Sequence, residues 1–161
     1  AALARGAAIL GEVTGYGQRV LTPGTGEDVA VRVDALEAAS DGAPDWIAPT
    51  GLGHAELDRL EVAAYADAFG EDLGGAAALV ATPWVGLSGP ATAPLQLAAG
   101  LLAARGELTP KRGLDVDAAP GCEAMVAALG RTASTGAGSR LLASCFSIDG
   151  VHAALGVTVE A

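Results

Sequence analysis

Apolar and polar positions alternate, then change period, several times along the 161 residues, and each change of rhythm marks an element. Ile9 to Tyr16, ending in Gly15-Tyr16-Gly17, reads as a strand, and Gln18 to Glu27, with Pro23-Gly24 and Gly26, as a loop. Asp28 is placed to cap a helix from about Val29 to Ala39, because Val29, Val33 and Leu36 recur at helical spacing and Ser40 to Pro44 ends the run. Trp46 to Ala48 is a short strand. The next helix runs from His54 or Ala55 to Phe69, with Leu57, Leu60, Ala64 and Ala68 on one face and Glu56, Asp58, Arg59 and Asp67 mostly on others. Ala76 to Ala81 is a further apolar strand.

Thr92 to Ala104 is apolar all the way round, with Gln96 its one strongly polar residue. A helix of that kind has no face to give to water and is expected as a middle layer covered on both sides. Pro94 is tolerated in its first turn, and its small residues allow close neighbours. After a loop from Gly106 to Pro120 come a short element at Met125 to Leu129 and a turn region at Thr132 to Gly138. Leu141 to Ile148 and Val151 to Val159 are then joined by Asp149-Gly150, a strong hairpin signal. Alternating helices and strands that end in a hairpin predict an α/β layered fold with a mixed sheet, in about one domain's length of chain.

Charge narrows the partners. A formal net charge of −10 with nine scattered Lys and Arg argues against nucleic-acid or anionic-membrane binding. No uninterrupted apolar stretch is long enough to span a bilayer, and residues 1–8 lack the pattern of a signal peptide, so a cytoplasmic protein is expected. Cys122 and Cys145 have neither CxxC spacing nor histidine neighbours, which predicts free thiols, no metal site and no cofactor. One lysine, Lys111, against eight arginines fits a GC-rich, bacterial genome.

The segment from Trp46 to Glu61, Trp-Ile-Ala-Pro-Thr-Gly-Leu-Gly-His-Ala-Glu-Leu-Asp-Arg-Leu-Glu, has the outline of a catalytic motif without its catalytic residue. It resembles the stretch of β-ketoacyl synthases in which a strand ends in Asn-Ala-His-Gly-Thr and leads into a helix carrying Asp-x-x-Glu. Gly51, Asp58 and Glu61 stand in the pattern, while Thr50 holds the histidine's place. The likeness is nearest to the chain-length-factor branch, the inactive partner subunits of type II polyketide synthases, where Glu-Leu-Asp-x-x-Glu comes after the same strand. Ala-Arg-Gly-Ala at residues 4–7 resembles the seam between the two pseudo-equivalent halves of a ketosynthase. The resemblance therefore implies a thiolase-like fold, with residues 1–161 as the C-terminal half of an αβαβα layered sandwich.

A second histidine of that family falls in a Thr-Gly-His turn; the matching segment from Thr82 to Gly89 places Leu87 there, and the usual lysine before the turn is missing. The closing glycine-rich signature is represented by Phe146 to His152, in which Phe146 and Gly150 remain. The nucleophilic cysteine of the family lies in the other half. The resemblance thus implies no catalytic residue in this chain, with Thr50 and Leu87 as degenerate positions and Pro49, Thr50, Trp84, Leu87 and Phe146 as candidates for lining a substrate pocket. The implied role is a non-catalytic subunit that pairs with a ketosynthase subunit or a complementary N-terminal half, receives chains from an acyl carrier protein and shapes the pocket for a polyketide or fatty-acyl chain.

Two other classes of function compete. One is a diverged thiolase-fold acyltransferase using Cys145 in Ala-Ser-Cys-Phe-Ser, although the residues after Cys145 alternate like a strand and a nucleophile turn must lead into a helix. The other is a scaffold or docking fragment with no pocket. His54 with Glu56 and Asp58 reads as helix-start polarity before it reads as an acid/base cluster, and His152, among small apolar residues, as a structural histidine. Gly15-Tyr16-Gly17 and Gly24-x-Gly26 lack the strand-loop-helix setting of a phosphate cradle.

Overall fold

A computed structural model describes residues 3–22, 28–109 and 118–160. Five strands, β1 (Gly11–Val20), β2 (Trp46–Ala48), β3 (Ala77–Ala78), β4 (Arg140–Phe146) and β5 (Val151–Val159), form one sheet in the order β1-β5-β4-β2-β3. β1 and β4 run antiparallel to β5, while β2 pairs in parallel with both β3 and β4, so the sheet is mixed. The helices are α1 (Asp28–Ala39), α2 (Ala55–Phe69), α3 (Thr82–Val85), α4 (Thr92–Ala104) and α5 (Glu123–Leu129). The loops expected at 18–27 and 106–120 lie partly outside the described residues, which leave out 23–27 and 110–117.

Most expected elements are present, with instructive differences at their ends. β1 continues to Val20, beyond the expected end at Tyr16, because Gln18, Arg19 and Val20 keep pairing with Ala153, His152 and Val151. The strand expected at Ala76 to Ala81 contracts to two residues in the ladder; the N–H groups of Leu79 and Ala81 then donate to Ile47 O and to a side chain of α4. The hairpin at Asp149-Gly150 forms as expected, with Ser147 N–H donating to Val151 O at 2.9 Å.

Two cores lie on the two faces of the sheet. On one, Leu36, Ile47, Val62, Tyr65, Leu142, Phe146 and Ala154 pack with α1, α2 and α5. On the other, Trp46, Ala48, Leu79, Leu141, Val157 and Val159 pack with Ala103 and Ala104 of α4. α2 is rotated from its expected orientation: Glu61, Val62, Ala64 and Tyr65 are its buried residues, and Leu57 and Leu60 are only half-buried. Apolar spacing points to the wrong side here because the buried side of α2 carries a carboxylate and a hydroxyl, each with partners waiting across the sheet.

A bulge in β1 decides which of its side chains meet the helices. The register with β5 shifts between Val13 and Gly15, so Val13 shares a face with Val157 while Gly15 lies opposite Gly156. Gly15 and Gly17 then pass directly under α1: a Cβ at Gly17 would stand 2.0 Å from Ala35 O, and one at Gly15 2.1 Å from Ala39 O. The Gly-Tyr-Gly word is therefore a bearing surface for a helix, and Tyr16 points the other way.

Candidate functional site

The carboxyl ends of the parallel strands are where open α/β sheets place ligands. Here β2 runs out at Ala48 into Pro49, Thr50, Gly51 and Leu52, beside the end of β4. Pro49 and Thr50 are buried. Gly51 has φ +56°, and a Cβ there would fall 2.3 Å from Val80 Cγ1, so the turn presses against the end of β3 through a bare backbone.

The turn is held from beneath by α2. Glu61, buried, accepts from Thr50 N–H on Oε1 at 2.8 Å and from Gly51 N–H on Oε2 at 3.0 Å. Ser144 of β4 donates its hydroxyl to Glu61 Oε1 at 2.7 Å and accepts from Tyr65 Oη at 3.1 Å. One turn back along the helix, Asp58 Oδ1 accepts from Leu52 N–H at 2.9 Å. Burial pushes the Glu61 carboxyl above its ordinary range, and the N–H groups of Gly51 and Thr50 oppose the shift. Asp-x-x-Glu is thus the clamp on this turn, with both carboxylates accepting backbone N–H bonds.

Thr50 itself is fully engaged. Its hydroxyl accepts from Phe146 N–H at 2.8 Å and donates to Ser144 O at 3.3 Å, and its carbonyl accepts from the Thr82 hydroxyl at 2.9 Å. The side chain bridges β2 to β4 in a buried seam and offers nothing to a substrate. Gln96, the one strongly polar residue of α4, closes the other side: Nε2 donates to Pro49 O at 2.5 Å and Leu79 O at 2.9 Å, and Oε1 accepts from Ala81 N–H at 2.9 Å. Fully buried, it satisfies backbone groups at the ends of both β2 and β3.

The five expected pocket residues do not share one surface. Pro49 and Thr50 are buried in the turn. Trp84 and Leu87, 55% and 58% exposed, stand in solvent on and just after α3. Phe146 is packed on the opposite core, edge-on to His152 and under Arg32, and so parts from Trp84 and Leu87. The small crevice of about 90 Å³ among Thr14, Ser40, Asp41, Arg140 and Thr158 lies elsewhere, near the start of β4. Cys145 sits inside strand β4 and is half-buried; burial and the charge of Glu61 push its thiol upward, away from the thiolate a nucleophile needs. His54 and Glu56 are exposed at the start of α2, and Asp58 of that trio serves as a clamp.

The sequence did not single out Ser144, Tyr65 or Arg32, and it marked Gln96 only as a polar interruption. Each is a polar residue at an apolar-periodic position, which is the signal that would have found it.

On the α4 side the sheet is covered over β2, β4 and the C-terminal end of β5, where Val157 and Val159 are buried, but not beyond. Gly100 brings α4 down on Ala48 and Leu141, the buried residues of the helix being Thr92, Gln96, Gly100, Ala103 and Ala104. The rest of that face, from β1 and the first half of β5, carries Val13, Tyr16, Val20 and Val151 at 59%, 57%, 66% and 40% exposure. Leu95 and Leu102 of α4 are exposed as well, at 40% and 37%.

No family model and no curated protein sequence matches this chain. Solved structures do. The ishigamide ketosynthase/chain length factor superimposes with a TM-score of 0.78 at 21% identity over 99% of this chain and 40% of its own. The Streptomyces albus JA3453 oxazolomycin ketosynthase domain OzmH KS7 gives 0.75 at 21% identity, over 99% of this chain and 31% of its own. A type II polyketide synthase acyl-carrier protein in complex with its ketosynthase bound to the hexaketide, AntDE:AntF, gives 0.64 at 20% identity, over 98% and 40%. The fold is therefore the thiolase-like α/β fold of ketosynthases, and the chain spans well under half the length of the solved proteins it matches. No described helix is long and apolar enough to cross a membrane.

Proposed function

We propose that this chain is a non-catalytic ketosynthase-like subunit of the chain-length-factor kind, one half of a layered sandwich, which pairs with an active ketosynthase subunit or a complementary half and helps shape the pocket for an acyl chain delivered by an acyl carrier protein. The observation that carries the reading is the half-covered sheet face. Val13, Tyr16, Val20 and Val151 are exposed on the part of that face that α4 leaves uncovered. Large apolar side chains exposed on an uncovered sheet face support an association surface. The chemistry agrees, since Thr50 is spent on strand-to-strand bonds and Leu87 carries no titratable group.

The test is reconstitution. Co-expressed with its ketosynthase partner, the chain is expected to form a stable complex, in which Trp84→Ala or Leu87→Ala shifts the product mass distribution while assembly persists. The isolated chain is expected to show no condensing or thiolytic turnover above a Cys145→Ala control. Thr50→His with Leu87→His leaves it inactive, because an imidazole at 50 displaces the Thr50 hydroxyl bridge and the nucleophile is elsewhere. Turnover by the isolated chain would support the acyltransferase alternative, and an unchanged product distribution in an intact complex would reduce the role to docking.

A further inference from the structure

His152 lies on β5 with 1% of its surface exposed, and neither of its ring nitrogens has a hydrogen-bond partner among the described residues. Buried polar groups are nearly always satisfied, so an unpartnered imidazole is a departure that calls for a reason. Its ring meets that of Phe146 edge-on, centroids 5.3 Å apart at 84°, and the Arg32 guanidinium lies over the same Phe146 ring, 5.4 Å from its centroid. Arg32, buried on α1, donates Nη1 to Leu57 O at 3.3 Å, while its Nε has no partner among the described residues.

The ionisable groups around this stack come from three elements. α1 contributes Arg32 and Asp28. β1 contributes Arg19, directly across from His152 in the ladder and paired with Asp34 of α1 at 3.7 Å. α2 contributes Glu61, already engaged by Thr50, Gly51 and Ser144. β4 brings Phe146, which cannot titrate.

We propose that His152 makes the packing of α1 on the sheet a pH-responsive seam, in which protonation of the ring loosens α1 from β1 and β5. The neutral ring is tolerated because it is flat and packs like an aromatic. An imidazolium there carries two N–H donors with no acceptor among the described residues, and a positive charge in a layer that already holds Arg32. Opening α1 admits water to both. At Gly15, Gly17 and Gly156 the backbone of α1 rests directly on the strands, so along that line few side-chain contacts hold α1 down besides those of Arg32 and Leu36.

Linkage fixes the direction of the response. Burial, then the charge of Arg32, hold the ring's pKa down at about 4, with Asp28 pulling the other way, against an ordinary value of 6.5. A depressed pKa in the closed state means that closure is fully supported above about pH 6.5 and loses support as pH falls toward about 4. Between pH 7 and pH 5 the opening equilibrium should rise about twentyfold.

Hydrogen exchange read by mass spectrometry, with intrinsic rates corrected for pH, tests this on the full chain. Peptides of α1 are expected to lose protection about twentyfold from pH 7 to pH 5 relative to peptides of α4, and His152→Gln is expected to reduce that difference to under about threefold. The same loss in the variant as in the parent chain overturns the proposal, as does an equal loss in α4. Should His152→Gln fail to fold, ring-carbon NMR on the parent chain decides: a His152 midpoint near 4 supports the seam, and one at or above about 6 overturns it.

Discussion

One sheet with two unlike faces dominates this molecule. The face toward α1, α2 and α5 is closed by glycine bearings, a buried carboxylate with three donors and a continuous apolar core. The face toward α4 is closed over β2, β4 and the C-terminal end of β5, then left open over most of β1 and the first half of β5, with Tyr16 and Val20 more than half exposed. Polar groups respect the same division. Those that organise the candidate site, Glu61, Ser144, Thr50 and Gln96, lie at the edge of the closed part, where each finds its partners. The closed face holds the fold together; the open face is where another protein surface would do its work.

The largest expected effect comes from breaking the clamp on the closed side. Glu61→Ala strands the N–H groups of Thr50 and Gly51 and the hydroxyl of Ser144 in a buried site. With each orphaned group costing about 1–3 kcal/mol, the loss should reach about 3–5 kcal/mol, a large part of a typical domain's stability. Denaturant unfolding measures it. Should Glu61→Ala cost under about 1 kcal/mol, the turn is held by something other than this carboxylate.

Next in size is Gly17→Ala. The new methyl would meet Ala35 O at 2.0 Å, so α1 must lift off β1. A cost of about 2–3 kcal/mol is expected, as for other overpacked sites, together with faster exchange in α1. The control is Gly53→Ala, where no described atom lies within 4 Å and only the cost of φ +73° remains.

How far the sequence foretold these two faces depends on the kind of signal each sends. Period and punctuation carried the helices at α1, α2 and α4 and the terminal hairpin, because their apolar spacing and turn residues are local. The resemblance around Thr50 pointed to the end of β2, where Asp58 and Glu61 clamp the turn. Side-chain direction was not local. Phe146 was expected near Trp84, yet strand alternation turns it to the α1 side while Cys145, its neighbour, faces the other way. The extent of β1 was hidden as well, since Gln18 and Arg19 look like loop until β5 pairs with them. Ser144 and Tyr65 needed separate elements to meet before their hydroxyls had meaning.

The smallest expected effect on stability is on the open face, and it sharpens the contrast most. Val13 and Val20 sit in β1 at 59% and 66% exposure, so replacing both with Thr removes exposed methyl surface while keeping β-branched side chains that suit a strand. Surface changes of this kind usually alter stability by no more than about 0.5 kcal/mol. Association is another matter, because the same positions lie in the surface proposed to be covered by the partner. Val13→Thr with Val20→Thr should therefore leave the denaturation midpoint of the chain nearly unchanged and lower its binding of hydrophobic dyes and its self-association. The complex with the ketosynthase partner should weaken about tenfold or more in sedimentation or titration, equivalent to about 1.4 kcal/mol. A double variant that binds the partner as tightly as the parent chain would place the contact elsewhere and leave the open face without an assigned role. One that unfolds readily would mean that β1 depends on these methyls for its own packing, so that the two faces are less separate than their exposure implies.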